Sequence, residues 1–110
     1  YLLRAEAYLG KNDLINAAND INAVRLRSKA NPVAPGDVTL DYILDERARE
    51  LVYEEPRRIT LHRTGKLVER VRKYNTLNKD EIQDYHGLWP IPYSFIEANK
   101  DAVIEQNPGY

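Results

Sequence analysis

Cysteine is absent from the 110 residues, and its absence excludes three kinds of chemistry at once. Without a thiol the chain can form no disulfide bond, no thiolate metal site and no cysteine nucleophile. Long apolar runs are also lacking, because no stretch approaches the roughly 18 residues that a bilayer-spanning helix needs. The sequence therefore predicts no membrane span in these residues.

Excess charge of either sign is lacking too, since the net charge is −1. Such a chain has no overall attraction to nucleic-acid phosphates. Charge is nevertheless uneven: residues 57–73 hold seven Lys or Arg against Glu69 alone, and residues 41–55 hold six acids against two arginines. We interpret the two stretches as neighbouring helices with complementary charged faces. Nucleic-acid binding through the basic stretch is the alternative, and we expect no nucleic-acid partner.

Groups that could carry catalysis do not converge in the sequence. His62 and His86 are far apart, and neither has a second ligand at metal-binding spacing on its own helix. Glu46 and Glu50 lie one helical turn apart, but the flanking arginines should keep both ionised. We find no phosphate-binding glycine loop, serine elbow or triad order. We therefore predict no catalytic residue, no metal site, no cofactor and no enzyme activity.

Hydrophobic residues make up 43% and charged residues 30% of the chain, which is typical of a folded globular segment with one modest core. Helical spacing of apolar residues runs over 1–9 and again from Leu14 to about Ser28, with a turn at Asn12 and Asp13 between them. We expect a helical hairpin over 1–30, in which the small residues Ala7, Ala17 and Ala18 allow close packing while Tyr8 and Ile21 fill the gaps.

The hairpin resembles one tetratricopeptide unit. Stacked repeats of this kind need about three neighbours to bury a continuous core, and only one is found. We therefore expect these residues to be the carboxy-terminal piece of a longer protein.

Two further helical stretches are predicted within 39–74. The first runs from about Leu40 to Glu54 behind a Thr39 cap, and the second follows Pro56 and is interrupted near Thr64 and Gly65. Residues 75–110 are expected to form a loop and an extended tail packed over the helices. The predicted fold class is all-α.

The tail contains two proline-locked segments, Leu88–Pro92 and Gln106–Tyr110. Each proline fixes its own φ and favours extended geometry in the residue before it, so both segments suit anchoring on a preformed surface. We expect Trp89 to be a buried anchor, with a loss of about 3 to 5 kcal/mol on replacement by alanine. Tyr85, His86 and Tyr93 are expected to be freer.

Several motifs together resemble the SusD/RagB family of outer-membrane nutrient-binding lipoproteins. They are Leu88–Pro92 with Ile96, Asn99 and Gln106–Tyr110, and the stretches Asp45–Leu51, Arg57–Arg58 and Leu61–Leu67. Two positions depart from the family pattern: Glu55-Pro56 stands where glycine is common, and Thr60 stands near a common acid. The local turn and any salt bridge from that acid should therefore differ.

The resemblance implies a function and partners. It implies binding of a glycan at the outer-membrane surface and its delivery to a TonB-dependent, SusC-like transporter, with membrane attachment through a lipid anchor outside these residues. The family's sugar-contacting residues lie largely on loops before the closing region, so the ligand-binding residues stay unknown. Tyrosine and tryptophan rings can stack on sugars. The alternative function is a tetratricopeptide-type scaffold that binds a peptide or protein and no sugar.

Overall fold

Helices account for all the regular structure of the chain, which a computed structural model describes from Tyr1 to Tyr110 without any β-strand. The six α-helices are α1 (Leu2–Gly10), α2 (Leu14–Arg27), α3 (Leu40–Glu50), α4 (Arg57–Arg63), α5 (Leu67–Tyr74) and α6 (Tyr93–Ala98), with 3₁₀ turns at Pro35–Asp37 and Asp84–Gly87. The predicted all-α class is confirmed. The tetratricopeptide character of the hairpin stays a prediction.

The chain divides into two compact units, Tyr1–Arg57 and Arg58–Tyr110. In the first unit α1 and α2 form the predicted hairpin. Asn12 takes the left-handed conformation, with φ of 58°, and so reverses the chain after α1. The Asp13 carboxylate then accepts a hydrogen bond from the Asn16 amide, at 3.1 Å, and caps the start of α2.

The hairpin supplies most of the core of the first unit. The buried cluster consists of Leu2, Ala5, Ala17, Ala18, Ile21, Val33, Val38 and Ile43. Ile21 is fully buried and Tyr8 packs against the cluster, as predicted. The prediction for Ala7 is wrong, because this residue is exposed and Ala5 takes the close-packing position on α1.

The connection between α2 and α3 is held by an amide side chain. Val33 follows Pro32 in a stretch without regular structure, and the Asn22 side chain pairs with both its backbone groups. Asn22 Nδ2 donates to the Val33 carbonyl at 3.0 Å, and the Val33 amide donates to Asn22 Oδ1 at 2.7 Å. Val33 lies outside the helices, so its amide and carbonyl have no partner in regular secondary structure. The Asn22 side chain alone provides a hydrogen-bond partner for both groups.

Helix α3 begins behind the predicted cap, where Thr39 Oγ1 accepts from the Tyr42 amide at 3.1 Å. It ends at Glu50 and not at Glu54, because the chain turns at Tyr53, which has φ of 64°. Tyr53 lies two residues before Glu55, where the SusD/RagB pattern commonly has glycine. Left-handed geometry costs a residue with a side chain about 1 to 2 kcal/mol.

In the second unit, α4 and α5 are separated at the predicted interruption. Gly65 has φ of 68°, and the amide of Lys66 donates back to the carbonyl of Leu61 at 2.8 Å, closing α4. Leu61 and Leu67 are buried on either side of this turn. The tail contains a helix that the sequence analysis did not assign, the six-residue α6, placed between the two proline-locked segments.

Candidate functional site

The two proline-locked segments of the tail hold each other through the side chain of Gln106. Gln106 Nε2 donates to the Ile91 carbonyl at 2.8 Å, and the Ile91 amide donates to Gln106 Oε1 at 2.7 Å. Ile91 lies between Pro90 and Pro92, which have no amide hydrogen to donate. The arrangement repeats the pairing of Asn22 with Val33, in which an amide side chain takes the place of a neighbouring strand.

Two further bonds complete what we call the clamp, the contact of residues 106–110 with residues 85–91. Asn107 Nδ2 donates to the Trp89 carbonyl at 2.7 Å, and the Tyr110 hydroxyl donates to the Leu88 carbonyl at 2.9 Å. The two proline-locked segments are thus bound to each other, through backbone groups of Leu88–Pro92. The packing of the tail over the helices stays a prediction.

The last residues of the clamp also contact the Tyr85 ring. Gly109 has φ of 95°, and a Cβ built at this position would lie 2.4 Å from Cγ of Tyr85. The Tyr110 ring meets the Tyr85 ring edge-on, with centroids 5.1 Å apart. Only glycine allows the backbone this close to the ring in this conformation.

Tyr85 and His86 are less free than predicted, since both are half-buried. The His86 ring lies 4.3 Å from that of Tyr85, and His86 Nδ1 accepts a hydrogen bond from the Gln83 amide at 2.8 Å. Both side chains shape the 3₁₀ turn beneath the clamp. Tyr93 is 71% exposed, as expected.

Trp89 is not the buried anchor that the sequence predicted, because 67% of it is exposed. The clamp holds the Trp89 carbonyl, so the segment is fixed without the indole, which is directed outward. The Arg58 guanidinium stacks on the ring, with Cζ 4.4 Å from the centroid. Arg58 Nη2 also donates to the His86 carbonyl at 3.0 Å, which fixes the guanidinium against the turn.

Ion pairs with nearby arginines explain the buried acids of the first unit, and no catalytic role is needed. Glu46 is 5% exposed and accepts hydrogen bonds from Arg25 and Arg49, both at 2.7 Å. Burial by itself raises the pKa of Glu46, but the two arginines outweigh burial and hold the pKa below its ordinary value. A carboxylate kept ionised in this way is a poor general acid, and it joins α3 to α2.

Asp20 on α2 is the second buried carboxylate of this unit. It is bound in bidentate fashion by Arg4 of α1, at 2.7 and 2.6 Å. The hydrogen bond from Arg4 lowers the pKa of Asp20. Glu50 pairs with Arg27, and Glu55 pairs with Arg47 at 2.9 Å. The arginines that bind these acids therefore come from α1, α2 and the acidic stretch itself.

A depression of about 260 Å³ lies beside the turn after α3. Leu51, Val52 and Tyr53 contribute apolar surface to it, and the Arg47–Glu55 pair forms its charged part. The two charges bind each other, so the depression presents mainly apolar surface.

Across residues 1–110 no three or more His, Cys, Asp or Glu side chains gather where they could bind a metal ion. None of the helices combines the length and apolar character needed to cross a bilayer.

Comparison with known protein families gives a match to the SusD family over residues 1–110. The chain belongs to the SusD family. No curated protein and no solved structure matches it. SusD proteins are surface lipoproteins of the outer membrane that bind glycans for nutrient uptake, and they are binding proteins associated with SusC-like transporters.

Because SusD proteins are binding proteins, the contacts of exposed side chains that could meet a ligand are the relevant features of the site. The contact that sequence reasoning missed is the stacking of Arg58 on Trp89, for which no local pattern exists because the two residues are far apart in the chain. The pairing of Gln106 with Ile91 and of Asn107 with Trp89 was missed as well, because it joins residues 15 and 18 positions apart.

Proposed function

We propose that this protein captures an oligosaccharide at the outer-membrane surface and delivers it to a TonB-dependent transporter of the SusC-like type. The single observation that carries the proposal is the family match over all 110 residues. The motifs of the clamp support a further proposal, that these residues form the carboxy-terminal part of the SusD-like domain. Membrane attachment would be through a lipid anchor.

The geometry of the second unit is consistent with a binding role. Trp89, Tyr93 and Phe95 are large aromatic side chains that stay exposed on or beside a segment fixed by the clamp. Aromatic rings of this kind pack against the flat C–H faces of sugars, and a fixed backbone lowers the entropy lost on binding.

Titration calorimetry of the full-length protein against a panel of oligosaccharides tests glycan capture. We expect saturable binding of at least one glycan and no turnover of it. Binding of peptides, with no glycan bound, would contradict the proposal and favour a tetratricopeptide-type scaffold. Delivery is tested separately by co-purification with the transporter and by loss of glycan uptake when the protein is deleted.

A further inference from the structure

The stacked pair of Trp89 and Arg58 combines the two groups that an acidic sugar requires. The indole is 67% exposed although Arg58 stacks on it, so the face opposite the guanidinium is open to a ligand. A sugar ring presents flat C–H surface to such a face. A guanidinium recognises a carboxylate by charge and by paired N–H donors.

Both groups are fixed before any ligand arrives. The Trp89 carbonyl accepts from Asn107, and the next residue but one, Ile91, is paired with Gln106. Arg58 is held by its bond to the His86 carbonyl. A pair that is already ordered loses little conformational entropy on binding.

The charge of Arg58 favours an anion at the indole. Other cations of the basic stretch are paired, Lys66 with Glu69 and Arg72 with Asp84, so Arg58 is the charge placed against the ring. A neutral sugar would gain from the indole alone, whereas an acidic sugar would gain from both the indole and the charge of Arg58.

We propose that Trp89 and Arg58 form a subsite for a uronic-acid residue of the bound glycan, so that this protein selects acidic over neutral oligosaccharides. This inference rests on the proposed function. The sugar stacks on the open face of Trp89, and the positive charge of Arg58 behind the ring attracts its carboxylate.

The test is calorimetry of the full-length protein with oligosaccharide pairs that differ only in charge: galacturonate, glucuronate and mannuronate oligomers, each against its methyl ester. We expect at least one acid form to bind about tenfold more tightly than its ester. Arg58→Gln should remove this preference and leave ester binding unchanged, and Arg58→Lys should restore part of it. Trp89→Ala should weaken both forms about tenfold.

Two matched controls separate the subsite from general effects. Lys79→Gln removes an exposed positive charge from the same unit, and Tyr53→Ala removes a fully exposed ring from the other unit; both should bind like the unchanged protein. Circular dichroism of each variant checks its fold. The difference in fluorescence between the unchanged protein and Trp89→Phe isolates the Trp89 signal, which should change on binding of the acid form.

The outcomes distinguish this inference from the proposed function. Binding of glycans without a preference for acids, or with a preference that Arg58→Gln leaves intact, overturns the subsite and leaves glycan capture standing. Lower thermal stability of Trp89→Ala with unchanged affinity shows a purely structural role and also overturns it. Failure to bind any glycan overturns both.

Discussion

Replacement of Gly109 by alanine should release the clamp, and the structure allows the size of the effect to be worked out. The new Cβ would lie 2.4, 2.6 and 2.8 Å from Cγ, Cδ1 and Cβ of Tyr85, and φ would stay at 95°. Left-handed geometry costs about 1 to 2 kcal/mol. Forcing a methyl group into occupied space costs about 1 to 3 kcal/mol.

The lower flexibility of alanine in the unfolded chain offsets about 0.4 to 1 kcal/mol of this cost. The four bonds of the clamp are each worth about 0.5 to 1.5 kcal/mol, so the penalty is comparable with their total. We therefore expect residues 106–110 to detach while the helices stay folded. The free energy of global unfolding should hardly change, because only the contacts of residues 106–110 are lost.

Amide hydrogen exchange of Ile91 measures this release, because its N–H donates to Gln106. We expect exchange to be accelerated at least tenfold in Gly109→Ala. Two glycines of the same unit are matched controls: Gly87 has neither positive φ nor a close neighbour, and Gly65 has positive φ without a close neighbour. Neither variant should change exchange at Ile91. Equal exchange in Gly109→Ala and Gly87→Ala would refute the reasoning.

Three other predictions concern the first unit. Glu46→Gln should lower the free energy of unfolding by about 3 kcal/mol in urea titrations, since it leaves Arg25 and Arg49 without a counter-charge; the exposed Glu54→Gln should change it by less than about 0.5 kcal/mol. Equal effects would contradict the buried pair. Because the pKa values of Glu46 and Asp20 are lowered by folding, their stabilisation is complete above their ordinary values of 4.5 and 3.8. The free energy of unfolding should therefore fall as pH drops below these values, and it should fall less steeply in Glu46→Gln. The same pH dependence in both proteins would contradict the role of Glu46. Tyr53→Gly should raise the free energy of unfolding by up to about 1 kcal/mol through relief of left-handed strain, and a clear loss would show that the ring has a packing role.

The starts of the helices could be predicted because their signals are local. Asp13 and Thr39 act within three residues of themselves, and Gly65 adopts the positive φ that an interruption requires. The end of α3 could not be predicted, because the left-handed turn falls on Tyr53, a residue that has no intrinsic preference for it. The short α6 escaped notice because it has six residues and directly follows Pro92.

The candidate site was predicted in part. The two proline-locked segments were recognised as restricted in backbone conformation, because proline fixes its own φ whatever surrounds it. That they pair with each other was not predicted. The exposure of Trp89 was not, since size alone suggested burial. Its position depends on which groups hold the segment, and these are the side chains of Gln106, Asn107 and Tyr110. Such pairings between distant parts of the chain have no periodic pattern in the sequence.

The display of Trp89 beside a positive charge is tested most directly by collisional quenching of its fluorescence, taken as the difference between the unchanged protein and Trp89→Phe. We expect quenching by acrylamide close to that of a solvent-exposed indole, with iodide more effective than caesium because of Arg58. Resistance of the Trp89 signal to all three quenchers, or equal quenching by the two ions, would contradict the account.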